Sequence, residues 1–85
     1  MSDSEFDVLD ELYFVQSFDN LQGLCDLDTD ELVKTLSSLF EKKWIKVLKT
    51  VDEEEIPDKV LLKTEYRKYF YLATKKGLLA HNSTS

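Results

Sequence analysis

The side chains best suited to chemistry in this protein are one cysteine, Cys25, and one histidine, His81. A nucleophilic cysteine needs a thiolate that nearby cations or a helix N-terminus stabilise. Cys25 instead falls at the C-terminal end of a predicted helix among acidic residues, which favours a buried, unreactive thiol over a reactive one. His81 falls in a predicted fraying end, so we expect it to face solvent.

The other polar residues match no catalytic motif. The sequence has no glycine-rich phosphate loop and no spacing typical of metal ligands. A single cysteine excludes an internal disulfide and fits a reducing compartment. We therefore expect no enzyme activity, no cofactor and no metal.

The charges divide the sequence into two parts. Its 85 residues include 17 acidic and 11 basic side chains, for a net charge of −6. Ten of the acids lie in residues 1–31, which contain no lysine or arginine, and residues 32–85 hold all the basic residues and the other seven acids. This asymmetry is typical of a nucleic-acid face or of two surfaces that recognise each other or a partner, although separate solvated faces would also produce it.

Length and hydropathy set the class of protein. A chain of this length makes one domain, expected over residues 1–85 with disordered ends at 1–3 and 82–85. No apolar run approaches the roughly 18 to 20 residues of a membrane span, and the N-terminus lacks the features of a secretory signal. We expect a cytoplasmic domain without membrane contact.

Apolar residues recur every three or four positions near the N-terminus, which predicts a first helix over Ser4 to Gln16. Either Ser2 or Ser4 can cap this helix. Its apolar face is wide and includes Tyr13, so it invites contact with more than one neighbour, including a second subunit.

Two further helices are predicted after it. The second covers Phe18 to Cys25, with Ser17 as its N-cap and Leu24 facing inward. The third opens at Asp28, which together with Glu31 forms a capping-box arrangement.

From Trp44 the apolar spacing changes from helical to alternating. A first strand is predicted over Trp44 to Val51 and a second over Arg67 to Ala73, joined as an antiparallel pair by a long, charged hairpin. Within the hairpin, Val60 to Thr64 has β composition.

The hairpin tip and the end of the sequence carry the remaining signals. Residues 52–55 form an acidic run that we expect to stay exposed, and Ile56 to Lys59 has turn chemistry. Thr74 is expected to cap a short last helix, from Lys75 to about His81.

The order of these elements resembles a winged helix-turn-helix domain. Leu21 to Asp28 is similar to the second helix and turn of that family, and Leu36 to Ile45 to the exit from its third helix into the wing. Tyr71 to Gly77, reading YLATKKG, is similar to the end of the wing in MarR- and PadR-like transcription regulators. The resemblance implies an α+β fold: a three-helix bundle, a two-stranded antiparallel wing and a short C-terminal helix. Trp44 departs from the family, which often has glycine there.

In such domains the start of the third helix enters the major groove of DNA. In this protein that turn carries Asp28, Asp30 and Glu31, whose charges repel a duplex, so the three acids are a candidate acidic face for a partner. Basic residues interleaved with aromatics are compatible with nucleic-acid contact through the sheet, although outward lysines on strands with a buried aromatic face are the simpler interpretation. The candidate nucleic-acid or partner contacts are Lys34, Thr35, Ser38, Lys42, Lys43, Lys46, Lys49, Arg67 and Lys68.

Two functions follow from this pattern. The first is a small non-enzymatic regulatory module that binds another protein, or a second copy of itself through its acidic and basic faces. The alternative is a transcription regulator that binds DNA through its basic strand and wing surface. In either case Ser37 and Ser38, in the middle of the third helix, are expected to face solvent or a partner.

Overall fold

The computed structural model describes residues 2–50, 53–55 and 59–83 of the protein. These residues form an α+β fold with one antiparallel, four-stranded sheet. In order along the sequence the elements are α1 (Asp3–Glu11), β1 (Gln16–Ser17), α2 (Phe18–Cys25), α3 (Thr29–Glu41), β2 (Ile45–Thr50), β3 (Glu53–Glu55), α4 (Lys59–Glu65), a 3-10 helix (Tyr66–Lys68), β4 (Phe70–Ala73) and α5 (Lys75–Ser83). The α+β class expected from the sequence is therefore confirmed.

A capping box formed by Ser2 and Glu5 opens α1. The Ser2 hydroxyl accepts from the Glu5 backbone N–H at 3.1 Å, and the Ser2 N–H donates to Glu5 Oε1 at 3.0 Å. Ser2 is thus the cap, and it and Asp3, expected to be disordered, form the start of a helix. That helix ends at Glu11 instead of the predicted Gln16.

After α1 the backbone turns and enters β1, a strand that the sequence did not predict. Gln16 pairs with Tyr71 and Ser17 with Phe70, both in β4. Two residues are too few to show an alternating pattern, and their partners lie near the other end of the sequence. Tyr13, expected on the buried face of the first helix, lies in this turn and is exposed.

The next two helices follow the sequence closely. The bounds of α2 are those predicted, and the hydroxyl of its N-cap, Ser17, accepts from the Asn20 N–H at 3.2 Å. The expectation that Leu24 faces inward is wrong, because this residue is 54% exposed. Asp28 caps α3 by accepting from the Glu31 N–H at 2.8 Å, the first of the two bonds of the predicted capping box.

The exit from α3 into β2 is a Schellman turn with lysine at the position where glycine is usual. The Lys43 N–H donates to the Phe40 carbonyl and the Trp44 N–H to the Leu39 carbonyl, both at 3.0 Å. Lys43 has a φ of 62°, in the left-handed region. The turn directs the backbone straight into the sheet.

The sheet has the strand order β1-β4-β2-β3. The predicted antiparallel pair is present as β2 and β4, with Ile45 opposite Ala73 and Leu48 opposite Phe70. The prediction of only two strands is wrong, because β1 and β3 extend the sheet on either side. The second predicted strand begins at Phe70 and not at Arg67, since the residues before it form the 3-10 helix.

The segment Val60 to Thr64, predicted to be β, lies within helix α4. Its Leu62 side chain is 1% exposed and belongs to the hydrophobic core. Burial of this leucine against the rest of the domain overrides the local preference of β-branched residues.

The acidic run contributes the edge strand β3. Glu53 and Glu54 are exposed, as expected, and Glu54 lies opposite Leu48 of β2. Residues 51–52, and residues 56–58 of the predicted turn, lie outside the described residues.

The last helix, α5, is fixed to the α3–β2 turn. The Thr74 hydroxyl caps α5 by accepting from the Gly77 N–H at 3.1 Å, and it donates to the Lys43 carbonyl at 2.8 Å. Gly77 lies so close to the Trp44 carbonyl that a Cβ atom would overlap it. α5 extends to Ser83, two residues beyond its expected end.

Candidate partner-binding groove

Helix α3 contacts α1 on one side and α4 on another. Between α3, α4 and the 3-10 helix lies an open groove of about 520 Å³, here called the α3–α4 groove. Its lining residues are Asp30, Val33, Lys34, Ser37, Ser38, Glu41, Lys63 and Tyr66. The six from α3 recur every three or four positions and therefore share one face of the helix.

The side chains of the groove combine charge with apolar surface. Val33 and Tyr66 pack partly against the core and supply the apolar walls. Lys34 and Lys63 are exposed and make no ion pair within residues 2–50, 53–55 and 59–83. The groove therefore presents two available cations beside apolar surface.

Ser37 was expected to face solvent or a partner; it is buried in the lining of this groove and does not face solvent. It is 6% exposed, and its hydroxyl finds no hydrogen-bond partner in the described part of the protein. An unpaired buried hydroxyl costs about 1–3 kcal/mol.

Thr35, a predicted contact residue, is buried as well and lines the smaller depression next to α1. It is 5% exposed, and its Oγ1 donates to the Glu31 carbonyl one turn earlier at 2.7 Å. Two neighbouring hydroxyls of α3 thus differ: that of Thr35 is satisfied within its own helix, and that of Ser37 is not.

Ser38 and Lys42, two more predicted contacts, are bound to Glu5 of α1. Glu5 Oε2 accepts from Lys42 Nζ at 2.6 Å and from Ser38 Oγ at 3.1 Å. Burial of Glu5 opposes its ionisation, but the hydrogen bonds from Lys42, Ser2 and Ser38 outweigh burial and lower its pKa to about 2. Lys42 also lies 4.7 Å from the centre of the Trp44 ring. These four residues, Ser2, Glu5, Ser38 and Lys42, form what we call the Glu5 cluster.

Arg67 and Lys68, predicted on a strand, lie on the 3-10 helix and have acidic neighbours. Arg67 pairs with Asp19 at 2.7 Å, and its guanidinium carbon lies 5.3 Å from the ring centre of Phe18. Lys68 pairs with Glu65 at 3.1 Å. Both pairs are exposed, so each contributes little to stability, but they reduce the positive potential of this region.

The remaining predicted cations lie around β2. Lys43 and Lys49 are exposed, and Lys46 is half-buried. Lys75 and Lys76, at the start of α5, follow the Thr74 that donates to the Lys43 carbonyl. None of these five lysines makes an ion pair in the part of the protein that the structure describes. They are the basic surface best able to meet phosphates.

The three acids of the predicted acidic face have separate positions. Asp28 is exposed and is used as the cap of α3, while the half-buried Glu31 borders a smaller depression next to α1. Only Asp30 lines the α3–α4 groove. The acidic face therefore does not form one continuous site.

Cys25, predicted to be a buried thiol, is half-buried against the core. Burial, followed by the charges of Glu11, Asp7 and Asp10, raises its pKa to about 11. Such a thiol stays protonated at neutral pH.

His81 is buried, and the expectation that it faces solvent is wrong. Its ring stacks on Phe6 with 4.2 Å between ring centres. The Tyr13 hydroxyl lies 3.2 Å from Nδ1, and Asp10 Oδ1 lies 3.4 Å from Nε2. These contacts hold α5 against α1. The sequence did not reveal them because α5 and α1 come from opposite ends of it.

Within the described residues, no group of three or more histidine, cysteine, aspartate or glutamate side chains could hold a metal ion. No helix among the same residues is both long and apolar enough to cross a membrane. No protein-family model, curated protein or solved structure matches this sequence.

Proposed function

We propose that this protein is a non-enzymatic regulatory module of the winged-helix type, and that it acts by binding another protein through the α3–α4 groove. The winged-helix assignment is supported by the order of α1, α2 and α3, then the antiparallel β2–β4 pair, then α5. In this interpretation β3 and α4 are an insertion into the wing.

The main support for the proposal is the packing of α4 beside α3. The major groove of DNA is about 12 Å wide and admits a single helix. Two helices side by side, each about 10 Å across, are too wide to enter it. The face of α3 that would read bases is instead one wall of a groove, which suits a segment of another protein. A volume of about 520 Å³ falls within the range typical of ligand sites.

The charges around α3 support the same conclusion. Asp28 and Asp30 at its start would repel phosphates. Lys42, at its other end, already pairs with Glu5. The helix therefore brings little free positive charge towards a duplex.

Site-specific photo-crosslinking tests the proposal. A photoreactive side chain at position 34 probes the α3–α4 groove, and one at position 49 probes the basic surface of β2. In cells that express the protein, we expect one discrete protein adduct from position 34 and none of that mass from position 49. Nucleic-acid adducts at position 49 without a protein adduct at position 34 would overturn the proposal. The mass of the adduct shows whether the partner is a second copy of this protein.

DNA binding is the second candidate, and the unpaired lysines around β2 favour it. A fluorescence titration of mixed-sequence duplex DNA at low and moderate salt tests it with the triple reversal Lys43→Glu, Lys46→Glu and Lys49→Glu. Salt-sensitive binding by the wild type that the reversal abolishes would establish this function, since each lost phosphate contact lowers the salt dependence. Absence of binding at low salt would exclude it.

A further inference from the structure

We propose that the α3–α4 groove receives a carboxylate of the protein partner, and that Ser37, Lys34 and Lys63 bind it. This inference rests on the proposed function and names the chemical group that the groove recognises. The carboxylate is that of an aspartate or glutamate side chain, and a C-terminal carboxylate is the alternative that the test distinguishes.

Ser37 is the first ground for the proposal. A serine in mid-helix can satisfy its hydroxyl by donating to the carbonyl one turn earlier, as Thr35 does with Glu31. The Ser37 hydroxyl makes no such bond, although it is buried among the residues lining the groove. The Oγ atom is closed to solvent in the free protein, so this donor would reach a ligand by rotating about χ1.

The two lysines are the second ground. Lys34 comes from α3 and Lys63 from α4, so they approach the groove from different walls. Both lack an ion pair in the described residues, although Asp30 and Glu41 line the same groove. Charge-assisted hydrogen bonds from lysine to a carboxylate are stronger than neutral ones.

The acidic residues of the groove restrict the range of possible ligands further. Asp30 shares the lining with Lys34 and Lys63 and would repel the several charges of a phosphate or nucleic acid more than a single carboxylate. A single carboxylate flanked by basic residues matches this mixture of charges. The partner segment is therefore expected to carry one acid between cations.

An NMR titration with three capped tripeptides tests the inference. The probes are acetyl-Lys-Glu-Lys-amide, its glutamine counterpart acetyl-Lys-Gln-Lys-amide, and acetyl-Lys-Gly-Lys with a free C-terminal carboxylate. We expect saturable shifts of the Lys34, Ser37 and Lys63 amides with the glutamate peptide, and weaker binding of the glutamine peptide. Binding of the peptide with the free C-terminal carboxylate alone would overturn the inference. The first and third peptides distinguish a glutamate carboxylate from that of a C-terminus.

Variants of the groove residues then show which side chains bind the carboxylate. Ser37→Ala should raise Kd about tenfold, since a hydrogen bond to a charged group is lost. Lys63→Gln, at an exposed position, should raise Kd while leaving the fold intact. Lys49→Ala, an exposed lysine outside the groove, should leave Kd unchanged. Equal binding of the glutamate and glutamine peptides, or shifts confined to Lys43, Lys75 and Lys76, would overturn the inference. If the peptides fail while position 34 still crosslinks to a protein, the carboxylate assignment falls and the proposed function stands.

Discussion

The two sides of helix α3 differ in how completely their polar groups are satisfied. On the side of α1, Glu5 gathers Ser38 and Lys42 into short hydrogen bonds. On the side of α4, the Ser37 hydroxyl is buried without a partner and Lys34 lacks an ion pair among the described residues. The first side is a structural contact, whereas the second is the side that we propose for binding.

This contrast separates stability from recognition within a single helix. Changes in the Glu5 cluster should alter the free energy of unfolding and leave ligand binding unchanged. Changes at Lys34, Ser37 and Lys63 of the α3–α4 groove should do the opposite. A change at Leu62, which anchors α4 in the core, should affect both stability and binding.

The largest effect is expected from Leu62→Ala. Leu62 anchors α4 in the core at 1% exposure, and the loss of such a buried leucine costs about 3 kcal/mol. Chemical denaturation measures the loss, with the exposed neighbour Lys63→Ala as control. A cost below about 1 kcal/mol, the size of a surface effect, would mean that α4 covers α3 only loosely and that the groove is not a fixed feature.

A smaller loss, about 2 kcal/mol, is expected for Glu5→Gln, which leaves Lys42 without its anionic partner. Lys42 is partly exposed and can turn towards water, so the cost stays below that of a fully buried pair. Asp3→Asn, an exposed acid in the same first turn, is the control and should cost a few tenths of a kcal/mol. Unchanged peptide affinity of Glu5→Gln would support the division of roles, and a lost affinity would contradict it.

The pH dependence of stability gives a second measure of the Glu5 cluster. The pKa of Glu5 is about 2 in the folded protein, against an ordinary value of 4.5. A depressed pKa stabilises the fold above the ordinary value, and this contribution is lost as the pH falls from about 4.5 towards 2. Wild type should therefore lose about 2 kcal/mol more than Glu5→Gln between pH 5 and pH 2. Parallel stability curves for the two proteins would show that the cluster is not formed.

The smallest change in stability is expected when either of two hydroxyls of α3, those of Ser37 and Thr35, is removed. Ser37→Ala removes an unsatisfied buried group and should leave stability unchanged or raise it by up to about 1 kcal/mol. Thr35→Val removes a satisfied hydroxyl and should cost about 0.5–1 kcal/mol. Thermal unfolding of both variants tests the contrast. A clear loss for Ser37→Ala would show that its hydroxyl bonds an ordered water in the free protein, and the proposal for the groove would then weaken.

Local signals in the sequence were enough to locate most of the helices. Ser17, Asp28 and Thr74 act as the caps that their positions predicted, because a cap depends on bonds to residues three positions away. The elements that were missed depend on distant partners. β1 exists through its pairing with β4, and α4 is helical where the local composition favours a strand.

The candidate site was harder to predict for the same reason. Lys34 was identified as a contact and does line the groove, but Ser37 was expected only to face solvent or a partner, and Lys63 was not among the candidate contacts. Both residues line the groove only because α4 packs beside α3, which the sequence did not predict. Helical periodicity shows which face of α3 carries a residue, but it does not show which element covers that face.

The glutamates of β3 have a consequence for the behaviour of the protein at high concentration. β3 is an edge strand, and an unpaired edge can template the addition of strands from other molecules, which leads to fibrils. Glu53 and Glu54 are exposed there, so two copies that align these edges bring like charges together. This repulsion opposes the edge-to-edge pairing of two copies and therefore disfavours aggregation through β3.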